Sequence, residues 1–172
     1  LYGQFMLDDF SSTKNSLHNK TGFQSGAKYF NLFGAENLHF QIEYNQVRPY
    51  TYAHTNPFQS YTHYNQSLAH PLGANFKEAI LFLNYRLGEH SWWTIYDFFA
   101  ELKINYAIIA KDSTGSNYGN NIFNSDKNAF YGPNSTVNEM GQGVKTTLRI
   151  IDFHVGYLVN PSTNLNVIVG IS

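Results

Sequence analysis

Hydrophobic and polar side chains alternate along most of this chain, with the two-residue period of a β-strand and no sustained helical period. Seven segments show it, at about 1–9, 22–33, 37–47, 76–87, 91–111, 141–159 and 164–172. In the third, Leu38, Phe40, Ile42 and Tyr44 alternate with His39, Gln41, Glu43 and Asn45, which makes a strand with one greasy and one wet side. In the fifth, Trp92, Thr94, Tyr96, Phe98, Ala100, Leu102, Ile104, Tyr106 and Ile108 oppose Asp97, Glu101, Lys103 and Asn105. Roughly 18 residues in one register far exceeds the soluble average of about 5 to 6 and predicts a tilted strand that crosses a bilayer. The sixth keeps one parity for Val144, Thr146, Leu148 and Ile150, then the other for Phe153, Val155 and Tyr157, which predicts a β-bulge at Ile150 and Ile151.

The connections between these segments alternate in length. Residues 34–36, 88–91 and 160–163 have the composition of tight turns, whereas 10–21, 48–75 and 112–140 are long and rich in Asn, Gly, Ser and Tyr. Short turns therefore fall on one edge and long loops on the other, as in outer-membrane barrels with short periplasmic turns and long extracellular loops. Loops of about 28 residues are also rare in compact soluble domains. The expected fold is all-β: an antiparallel up-and-down transmembrane β-barrel, with residues 1–172 forming one region of it. A soluble β-sandwich is the alternative. Seven strands do not give the even count of a single-chain bacterial barrel, and an open edge in lipid is costly, so further strands are expected from a longer barrel. The chain opens inside a strand pattern with no initiator Met and no signal segment, and reads as a fragment or a mature portion.

Composition narrows the classes further. The chain is 42% hydrophobic and 17% aromatic, so it has material for a core or a lipid-facing coat. Charged residues make up 13%, the net charge is −1 and the Lys and Arg are scattered, which argues against a nucleic-acid partner. There is no cysteine, hence no disulfide and no thiolate metal site. No run approaches the ~20 apolar residues of a membrane helix.

If the barrel reading holds, Tyr85 and Trp92 mark the periplasmic aromatic girdle, and Tyr44 and Tyr106 the outer one. Trp92 and Tyr106, about 14 residues apart, then span roughly 35 Å on a strand tilted by ~40°. The predicted lumen carries Glu43, Glu78, Arg86, Asp97, Glu101, Lys103, Lys145, Arg149, Asp152 and His154, nearly balanced in sign. Such balance suits a plugged barrel with paired charges better than an ion-selective pore. A hairpin closed at 88–91 would oppose Leu87 to Trp92 and bring Glu78 diagonal to Lys103.

Little catalytic chemistry is visible. Asp152 and His154 share the inward face and could act as orienter and base, but their depth in the strand favours a plain hydrogen-bonded pair. No nucleophile elbow, phosphate loop or zinc-protease motif occurs, so neither catalysis nor a cofactor is expected. His54, His63 and His70 in the 48–75 loop lack a fixed metal-ligand spacing, and Asp112, Asn117, Asn120, Asn121 and Asn124 lack that of a calcium loop, so no metal is expected. Tyr50, Tyr52, His54, Tyr61, His63 and Tyr64 in the former loop could stack on sugar rings and bond their hydroxyls, or simply fold over the barrel as a lid.

Three runs carry a family resemblance: Arg48-Pro49-Tyr50-Thr51-Tyr52, Tyr61-Thr62-His63-Tyr64-Asn65-Gln66, and Leu68-Ala69-His70-Pro71-Leu72-Gly73-Ala74-Asn75-Phe76-Lys77-Glu78. With Gly156-Tyr157-Leu158-Val159-Asn160-Pro161, followed by Thr163-Asn164-Leu165, they resemble the outer-membrane barrels of Bacteroidetes related to the capsule-assembly protein Wzi, gliding-motility-associated members included. The likeness covers most of the chain, as the C-terminal part of a longer barrel. It implies a non-enzymatic barrel in outer-membrane lipid whose loops bind or organise capsule or exopolysaccharide. The alternative it leaves open is a scaffold subunit that meets other outer-membrane proteins in export or motility machinery.

Overall fold

The structure is a computed structural model, and it describes residues 1–10, 19–88, 97–129, 139–160 and 162–172. Seven long strands, β1 (Tyr2–Asp9), β2 (Lys20–Phe30), β3 (Leu38–Val47), β6 (Phe76–Gly88), β7 (Asp97–Lys111), β8 (Val144–Asn160) and β9 (Leu165–Ile171), form one antiparallel sheet. The loop between β3 and β6 adds a two-stranded hairpin of β4 (Thr62–His63) and β5 (Gln66–Ser67). Strands follow one another across the sheet in chain order, so every second connection lies on the same edge. The sheet is an up-and-down meander with β1 and β9 at its sides, and these two do not pair with each other among the described residues.

Register separates the two faces of the sheet. Ala27, Ile42, Leu81, Ile104 and Ile151 pair in one row across five strands, and Tyr29, Phe40, Leu83, Leu102, Phe153 and Ile171 in the next across six. No polar side chain other than the Tyr29 hydroxyl interrupts either row. Many of these apolar groups are exposed, Tyr29, Ile42, Ile151, Phe153 and Ile171 among them. The band is bounded on the long-loop side by the row Ser25, Tyr44, Ala79, Tyr106 and Arg149, and toward the other edge by Leu87, Phe98, Tyr157 and Val167. Tyr106 to Phe98 is eight residues of β7, about 26 Å along the strand at ~3.3 Å per residue.

The opposite face carries Gln41, Glu43, Asn45, Glu78, Asn84, Arg86, Glu101, Lys103, Asn105, Asp152 and His154, as their pairing shows. It turns apolar near the long loops, where Val47, Phe76, Ala107 and Ile109 are buried together with Tyr52, Ala74 and Ile122 of those loops, and Leu148 packs alongside. The core of the molecule therefore sits at one end of the sheet, between its polar face and a folded cap.

This arrangement corrects three expectations. Pairing of β7 with β8 runs unbroken from Phe98↔Tyr157 to Lys111↔Val144, so Ile150 and Ile151 form no bulge there. The parity switch in β8 has another cause: Leu148 and Ile150 face inward close to the cap, whereas Ile151, Phe153 and Val155 face outward along the apolar band. In consequence Lys145 and Arg149 lie on the outer face above that band, not in the interior. Finally, Leu87 pairs with Phe98 and Glu78 with Ala107, so the hairpin does not close at 88–91 and Glu78 is not diagonal to Lys103. The Trp92 girdle position lies outside the described residues.

Candidate functional site

The long-loop cap is built from backbone that needs partners. Arg48 donates from Nε to the Asn19 carbonyl at 2.8 Å, and burial lowers its pKa from the usual guanidinium value. The Tyr50 N–H donates to the Gly119 carbonyl at 2.9 Å, and its hydroxyl donates to the Asn117 carbonyl at 2.7 Å. A β-carbon on Gly119, whose φ is +82°, would sit 2.5 Å from the Tyr50 nitrogen, so only glycine allows that approach. Lys20, 3% exposed, donates to Asp126 and to the Ala53 carbonyl, each at 2.6 Å, and Thr55 donates to the same carboxylate at 2.8 Å. Lys20 thus joins the start of β2 to the 112–140 loop by an ion pair and to the 48–75 loop by a hydrogen bond.

These contacts redistribute the six candidate ligand-contact residues. Tyr50 is 1% exposed and Tyr52 is buried in the core cluster, so both are packing residues of the cap and offer no ring to a ligand. His54 sits 3.5 Å from the Asp8 carboxylate, which also accepts the Tyr52 N–H at 3.2 Å. Tyr61 stacks on Tyr52 with ring centres 5.9 Å apart, leaving its outer half exposed. His63 and Tyr64 project on the β4–β5 hairpin, with their rings edge to face at 4.3 Å. Phe58, an aromatic of the same loop outside the six candidates, is 98% exposed on the one-turn 3-10 segment Pro57–Gln59 that Asn56 caps through its side chain.

Backbone conformation adds a further distinction. Tyr50, Tyr52 and Tyr64 all have positive φ, at 61°, 74° and 46°. The left-handed region costs a residue with a β-carbon about 1 to 2 kcal/mol. Tyr50 and Tyr52 offset that through burial and hydrogen bonds. Tyr64 does not, and its positive φ next to that of Asn65 (59°) is the type I′ pattern in which Asn and Gly are the ordinary occupants.

His70 does not face solvent with the other two loop histidines. It stacks on Phe76 at 4.4 Å and reaches down to Glu78, 2.9 Å from Nε2 to the carboxylate. Its Nδ1 accepts the Leu72 N–H at 3.2 Å, so Nε2 carries the proton and donates it. Glu78, 4% exposed, also accepts from Asn45 at 3.0 Å and Asn105 at 2.8 Å. The Asn45 amide spans to Glu43 at 2.9 Å, and Glu43 accepts the Tyr2 hydroxyl at 2.5 Å. The polar face of the sheet therefore holds a connected hydrogen-bond network, with His70 fixing the loop to it.

Nearer the short-turn edge, Arg86 and Asp97 form a two-pronged ion pair at 2.8 and 2.7 Å. Asn84 donates to Glu101 at 2.9 Å, Glu101 pairs across the strands with His154, and Lys103 with Asp152. A cavity of about 160 Å³ under the cap is lined by Gln4, Gln24, Asn45, Tyr52 and His70 among others. No group of three metal-binding side chains occurs among the described residues. Asp112 accepts backbone N–H groups of Tyr118, Asn120 and Asn121, while the Asn120 amide donates to the Leu72 and Ala74 carbonyls, so these oxygens and amides shape the loop.

The runs 48–52 and 68–78 thus build the cap and the start of β6, and the run 61–66 supplies the exposed hairpin. No protein-family model, curated protein or solved structure matches this chain.

Proposed function

We propose that this chain is part of a non-enzymatic outer-membrane β-barrel whose capped end faces outward and associates with surface polysaccharide. The observation that carries the reading is the exposed apolar band, continuous across the strands and bounded by the Tyr44–Tyr106 row on one side and Tyr157 with Phe98 on the other. A soluble protein rarely exposes an apolar patch beyond a few hundred Å². A band about 26 Å long along the strand, or about 20 Å tall at the ~40° tilt of a barrel strand, turned away from a hydrogen-bonded polar face, has the organisation of a lipid-facing barrel wall, whose apolar zone is ~25 Å. Tyr44, Tyr85 and Tyr106 lie on this face, as girdle residues would. In lipid, the free sides of β1 and β9 require further strands, because each unpaired backbone group there costs several kcal/mol.

The paired charges of the interior and the loop pinned at His70 support a filled lumen over an open pore. Association with polysaccharide draws on the exposed aromatics of the β4–β5 hairpin and on the resemblance of the cap-forming runs to Wzi-related barrels. A scaffold role in a larger outer-membrane complex would use the same surface for protein contact.

Expression of the full-length protein, membrane fractionation and detergent extraction test both steps. Recovery in the outer membrane with heat-modifiable mobility and bound glycan is the expected result. Recovery as a soluble protein would overturn the barrel, and stoichiometric protein partners without glycan would move the assignment to the scaffold.

A further inference from the structure

Tyr64 is held where the fold gains nothing from it. It is 91% exposed, its ring meets His63 edge-on and otherwise faces solvent, and its backbone is left-handed. Tyr50 and Tyr52 share that backbone but are buried inside the cap, so packing accounts for them. Packing does not account for Tyr64. A bulky ring kept in a left-handed turn, with the neighbouring His63 as its one described ring contact, points to something outside the chain.

The surroundings define what that is. Residues 49–76 contain no Asp, Glu, Lys or Arg. The exposed groups nearest Tyr64 in the chain are the imidazole of His63 and the carboxamides of Asn65 and Gln66, which supply donors and acceptors without formal charge. The hairpin itself is fixed to the cap: Tyr61 donates its N–H to the Tyr52 carbonyl at 2.9 Å and accepts that of Leu68 at 3.2 Å. A ring on a preorganised support loses little entropy when it binds.

We propose that Tyr64 is the stacking platform for an uncharged, hydroxyl-rich ligand, the sugar residues of a neutral polysaccharide. This rests on the reading that the cap meets surface glycan, and adds to it the charge class of the glycan and the residue that holds it. An acidic polymer would be matched by Lys or Arg, as carboxylates and phosphates are elsewhere, and the hairpin has none. A ring face with flanking amides instead suits the apolar face and the hydroxyl rim of a pyranose.

The test uses full-length protein in liposomes and polysaccharide released from the producing cells, split by anion exchange into neutral and acidic fractions. Tyr64→Gly is the informative variant, since glycine relieves the turn while removing the ring. The expected result is retention of the neutral fraction by the wild type, with roughly ten-fold weaker binding by Tyr64→Gly, the scale of one stacking contact. Tyr64→Phe should bind as the wild type does, and heat-modifiable mobility should be the same in all three. Binding of the acidic fraction alone would overturn the neutral ligand and keep the surface-glycan reading, whereas binding of neither would overturn both. Equal retention of the neutral fraction by Tyr64→Gly would overturn the part assigned to Tyr64.

Discussion

His154 lies over Gly170, its cross-strand partner, so closely that a β-carbon on that glycine would sit 2.1 Å from the imidazole Cδ2. The same relation joins Tyr2 to Gly26, at 2.3 Å to Cζ, and Phe99 to Gly156, at 2.1 Å to Cζ. All three pairs are on the polar face, and in each a ring covers backbone that the glycine leaves bare. Gly156→Ala must displace the Phe99 ring and is expected to cost about 1 to 3 kcal/mol, read as a lower urea midpoint in liposomes. Gly156→Ala combined with Phe99→Leu should recover part of that loss. If the double variant is no more stable than Gly156→Ala alone, the ring is not the obstacle.

The pair of Lys20 and Asp126 makes a second prediction. Lys20→Met leaves a buried carboxylate with only Thr55 as its described side-chain partner and should destabilise the protein by about 3 to 5 kcal/mol. Lys20→Met with Asp126→Leu removes both charges and should be much less harmful. Unfolding midpoints of the two single variants and the double variant decide it, and additive losses would argue against a coupled pair.

Charge on the apolar band is a third. Leu81 sits in the aliphatic row with Ile42 and Ile104, one row inside the Tyr44–Tyr106 boundary, so Leu81→Arg puts a cation within the apolar band and should cost about 1 to 3 kcal/mol if that band faces a bilayer. Arg149, beyond the Tyr106 row with its guanidinium 5.8 Å from the Tyr106 ring centre, should tolerate replacement by Lys. Folding yield into vesicles compares the two, and equal tolerance at Leu81 would place that face in water.

Alkali acts through Tyr52, whose pKa is raised above 10.0 first by burial and then by the charge of Asp8 and the nearby Tyr61. A raised value means that the neutral hydroxyl is favoured in the folded cap. Its stabilising effect is complete below the unfolded value and is lost as pH rises through the folded one. Proteolysis of the cap should therefore increase above about pH 10 in the wild type, and less in Tyr52→Phe. Matching profiles would remove Tyr52 as the cause.

Seven strands were legible because alternation survives wherever one face of a sheet is apolar and the other polar, and Leu38 to Tyr44 is the plainest case. Alternation misled in β8, where the apolar partner changes: Leu148 packs under the cap and Phe153 faces outward, so the side that is apolar switches without any shift in pairing. The aromatic loop was visible by composition, but composition does not tell Tyr50 from Tyr64. The first is spent on the Asn117 carbonyl, whereas the second meets its neighbour His63 and is otherwise exposed. Only long-range contacts separate them, between residues 67 positions apart in the chain. His70 was hidden for a different reason: its Glu78 partner is only eight residues on, but nothing in the pattern shows the loop folding back on β6 to bring the two together.

The Asn75 side chain has a bearing on the order of assembly. Its amide donates to the carbonyls of Ala110, Tyr118 and Gln142, and its oxygen accepts the Gly141 N–H. These acceptors come from the end of β7 and from both ends of the segment leading to β8, so the knot cannot tie until β6, β7 and β8 are already side by side. Contacts of such long sequence separation form late. The cap is therefore the last part of the molecule to take shape, after the sheet beneath it stands.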